Sequence, residues 1–167
     1  AMIALNAIVN TQLPDGTERK IALREFYQAP GDSPHIESVL KDGELITHIS
    51  IEKTERGTQY YHKVRDRSSY AFALVSVAAG LTIKDGRAHN VNLAFGGVGT
   101  TPWYPEKAIR VLEGAEISPE VISQAADAEL ATAKVFGSND FKPALLRRTL
   151  EKVLMDISTH QSNHPHH

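Results

Sequence analysis

Apolar and polar residues alternate on both sides of a short turn near the start of the chain. In NAIVNTQLPDGTERKIAL, an alternating stretch runs through Ile8, a Pro-Asp-Gly turn occupies 14–16, and a second apolar stretch ends near Leu23. A side-chain period of two on both sides of Asp-Gly is typical of a β-hairpin. The stretch that follows, REFYQAPGDSPHIESVLKDG, is interrupted by proline and glycine, which predicts a loop.

A third apolar stretch, GELITHISIE, predicts a short strand in which Leu45, Ile49 and Ile51 mostly alternate with polar neighbours. The polar sequence TERG at 54–57 then has the composition of a turn or linker. We therefore expect a boundary at that point.

Beyond this boundary the pattern changes. Residues 60–67 predict one strand and residues 71–83 a second, with a buried helix as the alternative for the second because alanine is abundant there. The pair Asp85-Gly86 favours the strand, because it is a strong hairpin signal and HNVNLAFGGVG answers it with an alternating stretch through Phe95. The three strands together predict an antiparallel meander.

The remaining residues have helical patterns. PEKAIRVLEG predicts a short helix with Pro105 in its first turn, and Ser118 caps a second helix that is expected to run to about Val135. A third helix begins after Asn139 or Asp140. Its expected apolar face consists of Phe141, Leu145, Leu150, Val153 and Leu154, and its expected solvent face carries Arg147, Arg148 and Lys152.

Strands followed by helices, rather than alternating with them, favour an α+β fold. We predict a two-layer sandwich in which an antiparallel sheet of three to four strands packs against about three helices. A short β-hairpin precedes this sandwich.

Composition narrows the possible functions. The 167 residues are 41% hydrophobic and 23% charged, with a formal net charge of -2, which argues against nucleic acid as a partner. The chain has no cysteine, so thiolate metal sites and thiol catalysis are excluded. No apolar run approaches the ~18 to 20 residues that span a bilayer, and the first residues lack the pattern of a signal peptide, so we expect a cytoplasmic protein without a membrane segment.

A search for catalytic and metal-binding motifs finds none. The chain has no G-x-G-x-x-G, no phosphate-loop signature and no H-E-x-x-H, and the glycine pair in FGGVGTTP is expected only to end a strand. We expect surface or packing roles for His35 and His48, a packing role for Trp103, and no metal site in the His-rich tail HQSNHPHH. No catalytic residue is assigned.

Three cations stand out in YYHKVRDRSSY, at 60–70. If this stretch is a strand, Lys63, Arg65 and Arg67 share one face, and the residues between them share the other. Such a row could bind an anion, border a protein interface, or keep a sheet soluble. The pattern alone leaves these alternatives open.

Three segments in order, GELITHISI, YYHKVRDRSSYAFALVSVAAGLTIKDGR and LAFGGVGTTPWYP, resemble the flavin-binding subunit of the molybdenum hydroxylases. This family includes xanthine dehydrogenase, aldehyde oxidoreductase and carbon monoxide dehydrogenase, and the segments are most similar to the bacterial aldehyde and xanthine dehydrogenase type. Because several motifs occur in order, the resemblance is specific. It covers the chain up to about Ile157.

The resemblance implies a division of the chain. Residues 1–52 correspond to the C-terminal remnant of the FAD-binding domain, consisting of the hairpin, a loop and a strand, and residues 53–157 to the C-terminal domain of the family. Residues 158–167 are left as a disordered tail. The glycine-rich turns that hold the FAD pyrophosphate in the family are absent from this sequence.

The resemblance also implies the cofactor FAD and the residues that face it. Ile46, with Leu45 as its neighbour, matches an apolar contact to the flavin from the G-E-L-I strand, and Lys63 matches the flavin-contacting lysine of the K-V-R strand. An isoalloxazine ring requires an apolar wall, and an ammonium group favours the negative charge that reduction places near N1 and the C2 carbonyl. Arg65 and Arg67 are expected to hold this domain against neighbouring subunits or acidic side chains.

In the family, FAD passes electrons from two 2Fe–2S clusters to NAD or another acceptor. The implied partners are therefore an iron–sulfur subunit and a molybdenum-cofactor subunit, with a homodimer as a further possibility. The alternative function is a non-catalytic assembly domain that binds no FAD by itself. We expect the isolated chain to be folded, colourless and inactive.

Overall fold

The computed structural model describes residues 1–53, 57–67 and 70–162. The strands in this part of the chain are β1 Ile8–Gln12, β2 Glu18–Ala22, β3 Leu45–Ser50, β4 Thr58–Arg65, β5 Ala73–Lys84 and β6 Arg87–Gly96. The helices are α1 Leu23–Phe26, α2 Glu106–Leu112, α3 Pro119–Leu130 and α4 Lys142–Ser162. The α+β class predicted from the order of the patterns is confirmed.

The N-terminal hairpin is part of a three-stranded antiparallel sheet with the order β2-β1-β3. Its turn is closed by the Leu13 amide, which donates to the Thr17 carbonyl at 2.8 Å. The hairpin prediction is therefore confirmed. The stretch after β2 is mostly loop as expected, but it begins with the single turn α1, where Leu23 and Phe26 are buried.

The second sheet is the predicted meander, in the order β4-β5-β6. One face of its central strand presents Val75, Val77 and Leu81 to the three C-terminal helices, and all three side chains are fully buried. This apolar face explains why the alanine-rich segment is a strand. Continuous burial of β5 favours apolar residues on both faces, which weakens the alternation in the sequence.

Strand β4 ends at Arg65, two residues earlier than predicted. The register shifts between Val64 and Arg65, and the pair of Arg65 with Ala73 is the last of this ladder, because β5 begins at Ala73. Residues 68 and 69 of the quoted cationic stretch lie outside the described residues. So do residues 54–56 of the predicted boundary.

The helix α3 is capped as predicted, because the Ser118 hydroxyl accepts a hydrogen bond from the Val121 amide. The prediction that it continues to about Val135 is wrong, since it ends at Leu130. Beyond that point Val135 and Phe136 are exposed and bury no apolar face. Helical stability in proteins comes mainly from such burial, so packing does not stabilise a continuation of α3 beyond Leu130.

Three residues of the predicted apolar face of α4, Leu150, Val153 and Leu154, are buried, and Ile157 extends this buried stripe. Two details of the prediction are wrong. Phe141 precedes the helix and is largely exposed. Residues 158–162, expected as the start of a disordered tail, continue the helix, while 163–167 lie outside the described residues.

A second apolar cluster joins the two sheets, and we call it the inter-sheet cluster. Its buried members are Ile3, Ala4, Ala7, Val9, Ile21, Leu23, Phe26, Ala78 and Ala94. Ala78 and Ala94 belong to the face of the second sheet that is turned away from the helices. The N-terminal residues therefore cover that face of the second sheet.

Candidate functional site

Ile46 lies on β3, which is an edge strand of the first sheet and pairs only with β1 among the described strands. The register shifts between Asn10 and Thr11, so that Thr47 is an extra residue on β3. Its hydroxyl donates to the Asn10 carbonyl at 3.0 Å. This bulge decides which face of the sheet carries Ile46.

Directly opposite residues in an antiparallel pair share a face. Ile46 is opposite Thr11, and Ile49 is opposite Val9. Since Val9 and Thr11 are two residues apart on a regular strand, the bulge places Ile46 and Ile49 on the same face. Val9 belongs to the inter-sheet cluster, so Ile46 lies on the face of the first sheet that borders this cluster.

Leu45 is placed differently. It is opposite Gln12, which is one residue away from Thr11 on β1, and therefore lies on the other face of the sheet. Its exposed fraction is 70%, compared with 48% for Ile46. The two apolar neighbours in the sequence thus point to different sides of the edge strand.

Lys63 lies in the middle of β4, directly opposite Ser76 of β5. Ser76 and Ala78 share a face, and Ala78 belongs to the inter-sheet cluster. Lys63 is therefore on the face of the second sheet that is turned away from the helices. Its side chain is exposed, and within the described part of the chain it has no hydrogen-bond or ion-pair partner.

Ile46 and Lys63 thus lie on the two sheet faces that border the same cluster. They are not neighbours, because no Cα atom of β3 lies within 8 Å of a Cα atom of β4. A cavity of about 210 Å³ opens beside Ser76, and Tyr27, Tyr61 and Ser76 are among its lining residues. The tertiary structure therefore leaves open space next to the partner strand of Lys63.

The structure places two of the three cations, Lys63 and Arg65, on β4. The extra residue at the register shift is Leu74 on β5, whereas β4 is regular there, so Lys63 and Arg65 lie two residues apart on the same face of β4. Arg67 lies beyond the end of β4 and donates a hydrogen bond to the Tyr70 carbonyl at 2.9 Å. Arg67 therefore lies apart from Lys63 and Arg65.

The predicted packing role of Trp103 agrees with its contacts, because its indole N–H donates to Glu129 at 2.7 Å and its backbone bridges to Phe95. The expectation that Arg147 points to solvent is wrong. Its guanidinium pairs with Asp127 and also donates to the Ser123 hydroxyl, so it links α4 to α3. Asp127 holds the pKa of Arg147 above its ordinary value through this hydrogen bond.

Glu44 was not singled out by the sequence, although it begins the apolar strand in GELITHISI. Its side chain is fully buried, and its carboxylate accepts hydrogen bonds from the Thr11 hydroxyl at 2.5 Å, Arg19 at 2.6 Å and the Lys41 amide at 2.8 Å. These contacts lower the pKa of Glu44, with the Thr11 hydroxyl as the largest cause. In the sequence, only the position of this acidic residue directly before the apolar stretch LITHISI could have drawn attention to Glu44.

We predict that Glu44 contributes to the loss of stability in acid. A pKa that is lowered in the folded state gives stability that is present above the unfolded value and is lost as pH falls through the folded value. The Glu44→Gln variant should therefore lose less unfolding free energy than the original protein between about pH 5 and pH 3. Urea unfolding followed by circular dichroism at several pH values measures this difference.

Glu37→Gln is the matched control, because Glu37 is exposed. Its pH dependence should parallel that of the unsubstituted protein. Parallel curves for Glu44→Gln as well would contradict a role of this carboxylate in acid unfolding.

The described residues fit the ring of a flavin cofactor but do not fit the pyrophosphate of FAD. Ile46 offers exposed apolar surface, and Lys63 offers an ammonium group with no partner among the described residues. Gly96 and Gly97 end β6, and the next described helix begins only at Glu106, so this glycine pair is no phosphate-binding turn. No group of three or more His, Asp or Glu side chains is placed to hold a metal ion in the part of the chain described.

No described helix is long and apolar enough to cross a membrane.

Comparison with protein families gives a match over residues 59–157 to the model of the CO dehydrogenase flavoprotein C-terminal domain. The matched segment contains the meander from Gln59 onward, the helices α2 and α3, and α4 as far as Ile157. The chain belongs to this family.

Two curated relatives extend the similarity over the N-terminal sheet. The aldehyde oxidoreductase FAD-binding subunit PaoB of Escherichia coli is 42% identical over 157 residues, which cover 93% of this chain and 46% of that protein. The nicotine 6-hydroxylase medium subunit of Paenarthrobacter nicotinovorans is 28% identical and is covered to 53%. The chain therefore spans about half the length of these relatives.

Solved structures show the same fold. CO dehydrogenase from Oligotropha carboxidovorans aligns with a TM-score of 0.80 at 22% identity, over 95% of this chain and 55% of that chain. Quinoline 2-oxidoreductase from Pseudomonas putida 86 aligns with a TM-score of 0.78 at 21% identity, over 95% of this chain and 54% of that chain. Both sheets take part in these alignments, since 95% of the chain is covered.

Proposed function

We propose that this chain is the C-terminal part of the FAD-binding subunit of a molybdenum hydroxylase of the aldehyde or xanthine dehydrogenase type. The similarity to an FAD-binding subunit over 93% of the chain carries this proposal. The placement of Ile46 and Lys63 on faces that border one cluster supports it.

Each of the two residues has a separate role in the proposal. Ile46 supplies an apolar surface for one side of the flavin ring. Lys63 supplies a positive charge close to the ring, where it favours electron uptake. FAD, when bound, supplies the capacity to accept electrons from iron–sulfur clusters and to pass them to NAD or another acceptor. Leu45 lies on the other face of β3 and supports the strand rather than the ring.

The remaining parts of the proposal concern the assembly. An iron–sulfur subunit and a molybdenum-cofactor subunit are the proposed partners, in the cytoplasm, with homodimerisation of the complex as a further proposal. The division at residues 52 and 53 between FAD-domain remnant and C-terminal domain stays a prediction. The family match beginning at residue 59 supports it.

A second candidate is an assembly domain that binds partner subunits without contacting FAD. The exposure of two aromatic residues favours this alternative. Tyr70 is 99% exposed and Phe72 is 98% exposed, although aromatic side chains usually bury large areas. Exposed aromatic residues beside Arg67 have the composition of an energetically important contact in a protein interface.

Replacing Lys63 distinguishes the two functions. In the assembled, FAD-containing enzyme, Lys63→Met should lower the two-electron midpoint potential of the flavin by about 30 mV, which corresponds to about 1.4 kcal/mol. The physical reason is the loss of one positive charge near a ring that becomes negative, at an interaction strength reduced by solvent. Spectroelectrochemical titration of the flavin absorption measures the change.

Lys20→Met is the matched control, since Lys20 is an exposed strand lysine of the first sheet, opposite Asn10. It should leave the potential unchanged. If Lys63→Met gives the same potential as the control while subunit assembly is intact, the assembly function is favoured and the proposed flavin contact is refuted.

A further inference from the structure

Glu44 connects three separate segments of the N-terminal sheet. One carboxylate oxygen accepts from Thr11 on β1, and the other accepts from Arg19 on β2 and from the Lys41 amide in the preceding loop. Three donors to one fully buried carboxylate form a strong anchor, because hydrogen bonds to a charged group are stronger than neutral ones. The start of β3 is therefore held firmly against both strands of the hairpin.

The residue that Glu44 holds is the direct partner of Ile46. Thr11 lies opposite Ile46 on one side and opposite Arg19 on the other. The bulge at Thr47 follows immediately, closed by its hydrogen bond to the Asn10 carbonyl. Glu44 and Thr47 thus lie on either side of Ile46 in the sequence, and each forms a hydrogen bond to β1 next to the bulge.

The neighbouring glycine supports this anchor. Gly43 has φ +74°, a conformation that side chains rarely adopt, and a Cβ atom there would lie 2.9 Å from Cγ of Pro14. Only glycine therefore lets the chain pass this close to the hairpin turn and bring Glu44 beneath the sheet.

We propose that Glu44 is a positioning residue for Ile46, which it fixes on the sheet face that borders the inter-sheet cluster. This inference rests on the proposed function, in which that face receives the flavin ring. A one-residue slip of a strand moves its side chains to the opposite face. Strand β3 is an edge strand with every residue exposed, so little apolar burial opposes such a slip once the Glu44 contacts are lost.

The first test needs no flavin. In the unsubstituted chain, nuclear Overhauser effects should join the side chains of Ile46 and Thr11, and also those of Ile49 and Val9. In Glu44→Gln, which keeps the size of the side chain and removes its charge, we expect the Ile46 to Thr11 effects to disappear and those of Ile49 and Val9 to remain. Unchanged effects at Ile46 would overturn the inference.

The second test adds FAD, up to about 1 mM because weak binding is expected, and follows the amide shifts of Ile46 and Lys63. Glu44→Gln should raise the apparent Kd for FAD, measured from the Ile46 amide shift, by about tenfold, which is the effect of losing one aliphatic contact. Thr11→Val, which lacks the donor, should behave like Glu44→Gln. Thr11→Ser, which keeps the donor, should restore the original response.

Glu129→Gln is the control for general destabilisation, since Glu129 is buried among α2, α3 and Trp103 and does not touch β3. It should leave the Ile46 response intact. If Glu44→Gln responds to FAD like the unsubstituted chain, the positioning role is refuted and the proposed function stands. If the unsubstituted chain shows no response at either residue, flavin binding by this part of the subunit alone is refuted, and the first test decides the positioning role.

Discussion

Replacing Glu129 with alanine is expected to lower the free energy of unfolding by about 3 kcal/mol or more. Glu129 is 6% exposed, and its carboxylate accepts hydrogen bonds from the Trp103 indole at 2.7 Å, the Lys107 amide at 2.9 Å and the Ala108 amide at 3.1 Å. Alanine would leave these three N–H groups without an acceptor. A buried donor that loses its partner costs about 1 to 3 kcal/mol.

The position of Glu129 makes this effect large. The two amides belong to the first turn of α2, whose preceding residue Pro105 provides no side-chain cap. Glu129, on α3, therefore acts as the cap of a different helix, and Trp103 ties the same carboxylate to β6 through its backbone bridge to Phe95. One side chain thus holds together a sheet edge and two helices.

Chemical denaturation followed by circular dichroism measures the Glu129 effect. Glu151→Ala is the control, because Glu151 is exposed on α4, and it should change the free energy of unfolding by less than about 0.5 kcal/mol. Glu129→Gln, with one acceptor oxygen instead of two, should fall between the two. A loss below about 1 kcal/mol for Glu129→Ala would show that water or rearrangement satisfies these donors.

Replacing Gly97 with alanine should also destabilise the protein, by about 2 to 3 kcal/mol. Gly97 has φ +76°, and a Cβ atom there would lie 2.8 Å from the Leu74 carbonyl oxygen and 2.9 Å from that of Ala73. Both obstacles are backbone atoms of β5, so no side chain can rotate to relieve the contact. The sheet must therefore shift where β6 ends.

Gly114→Ala separates the two causes of this effect. Gly114 has nearly the same conformation, φ +75°, but no atom lies within 4 Å of a Cβ atom built there. It should cost only the backbone strain of a positive φ, about 1 kcal/mol. Thermal unfolding of both variants gives the difference, and equal losses would contradict the steric part of the argument.

Local sequence was sufficient where chemistry between near neighbours defines an element. Pro-Asp-Gly and Asp85-Gly86 each predicted a hairpin because these turns require residues that tolerate their dihedral angles. Ser118 predicted a helix start because its hydroxyl satisfies an amide three residues away. These predictions are confirmed.

Element ends were less predictable, because burial decides them. The end of α3 at Leu130 follows from which residues find a packing partner, and α4 is buried at Ile157 and continues beyond it to Ser162. The sequence around Val135 and Phe136 is apolar enough to be helical, yet both side chains are exposed. Contacts between residues that are distant in the chain produce no periodic pattern of apolar residues in the sequence.

The candidate site shows the same division. The sequence by itself determined the strand that carries Lys63, the apolar strand that carries Ile46 and, through its motifs, the family. Only the tertiary structure decided that the bulge at Thr47 turns Ile46 toward the inter-sheet cluster, that Lys63 borders the same cluster, and that Glu44 and Glu129 are buried anchors. The reason is physical: the face that a strand residue occupies depends on its register with another strand, and a buried carboxylate is stable only beside donors that are distant in the sequence.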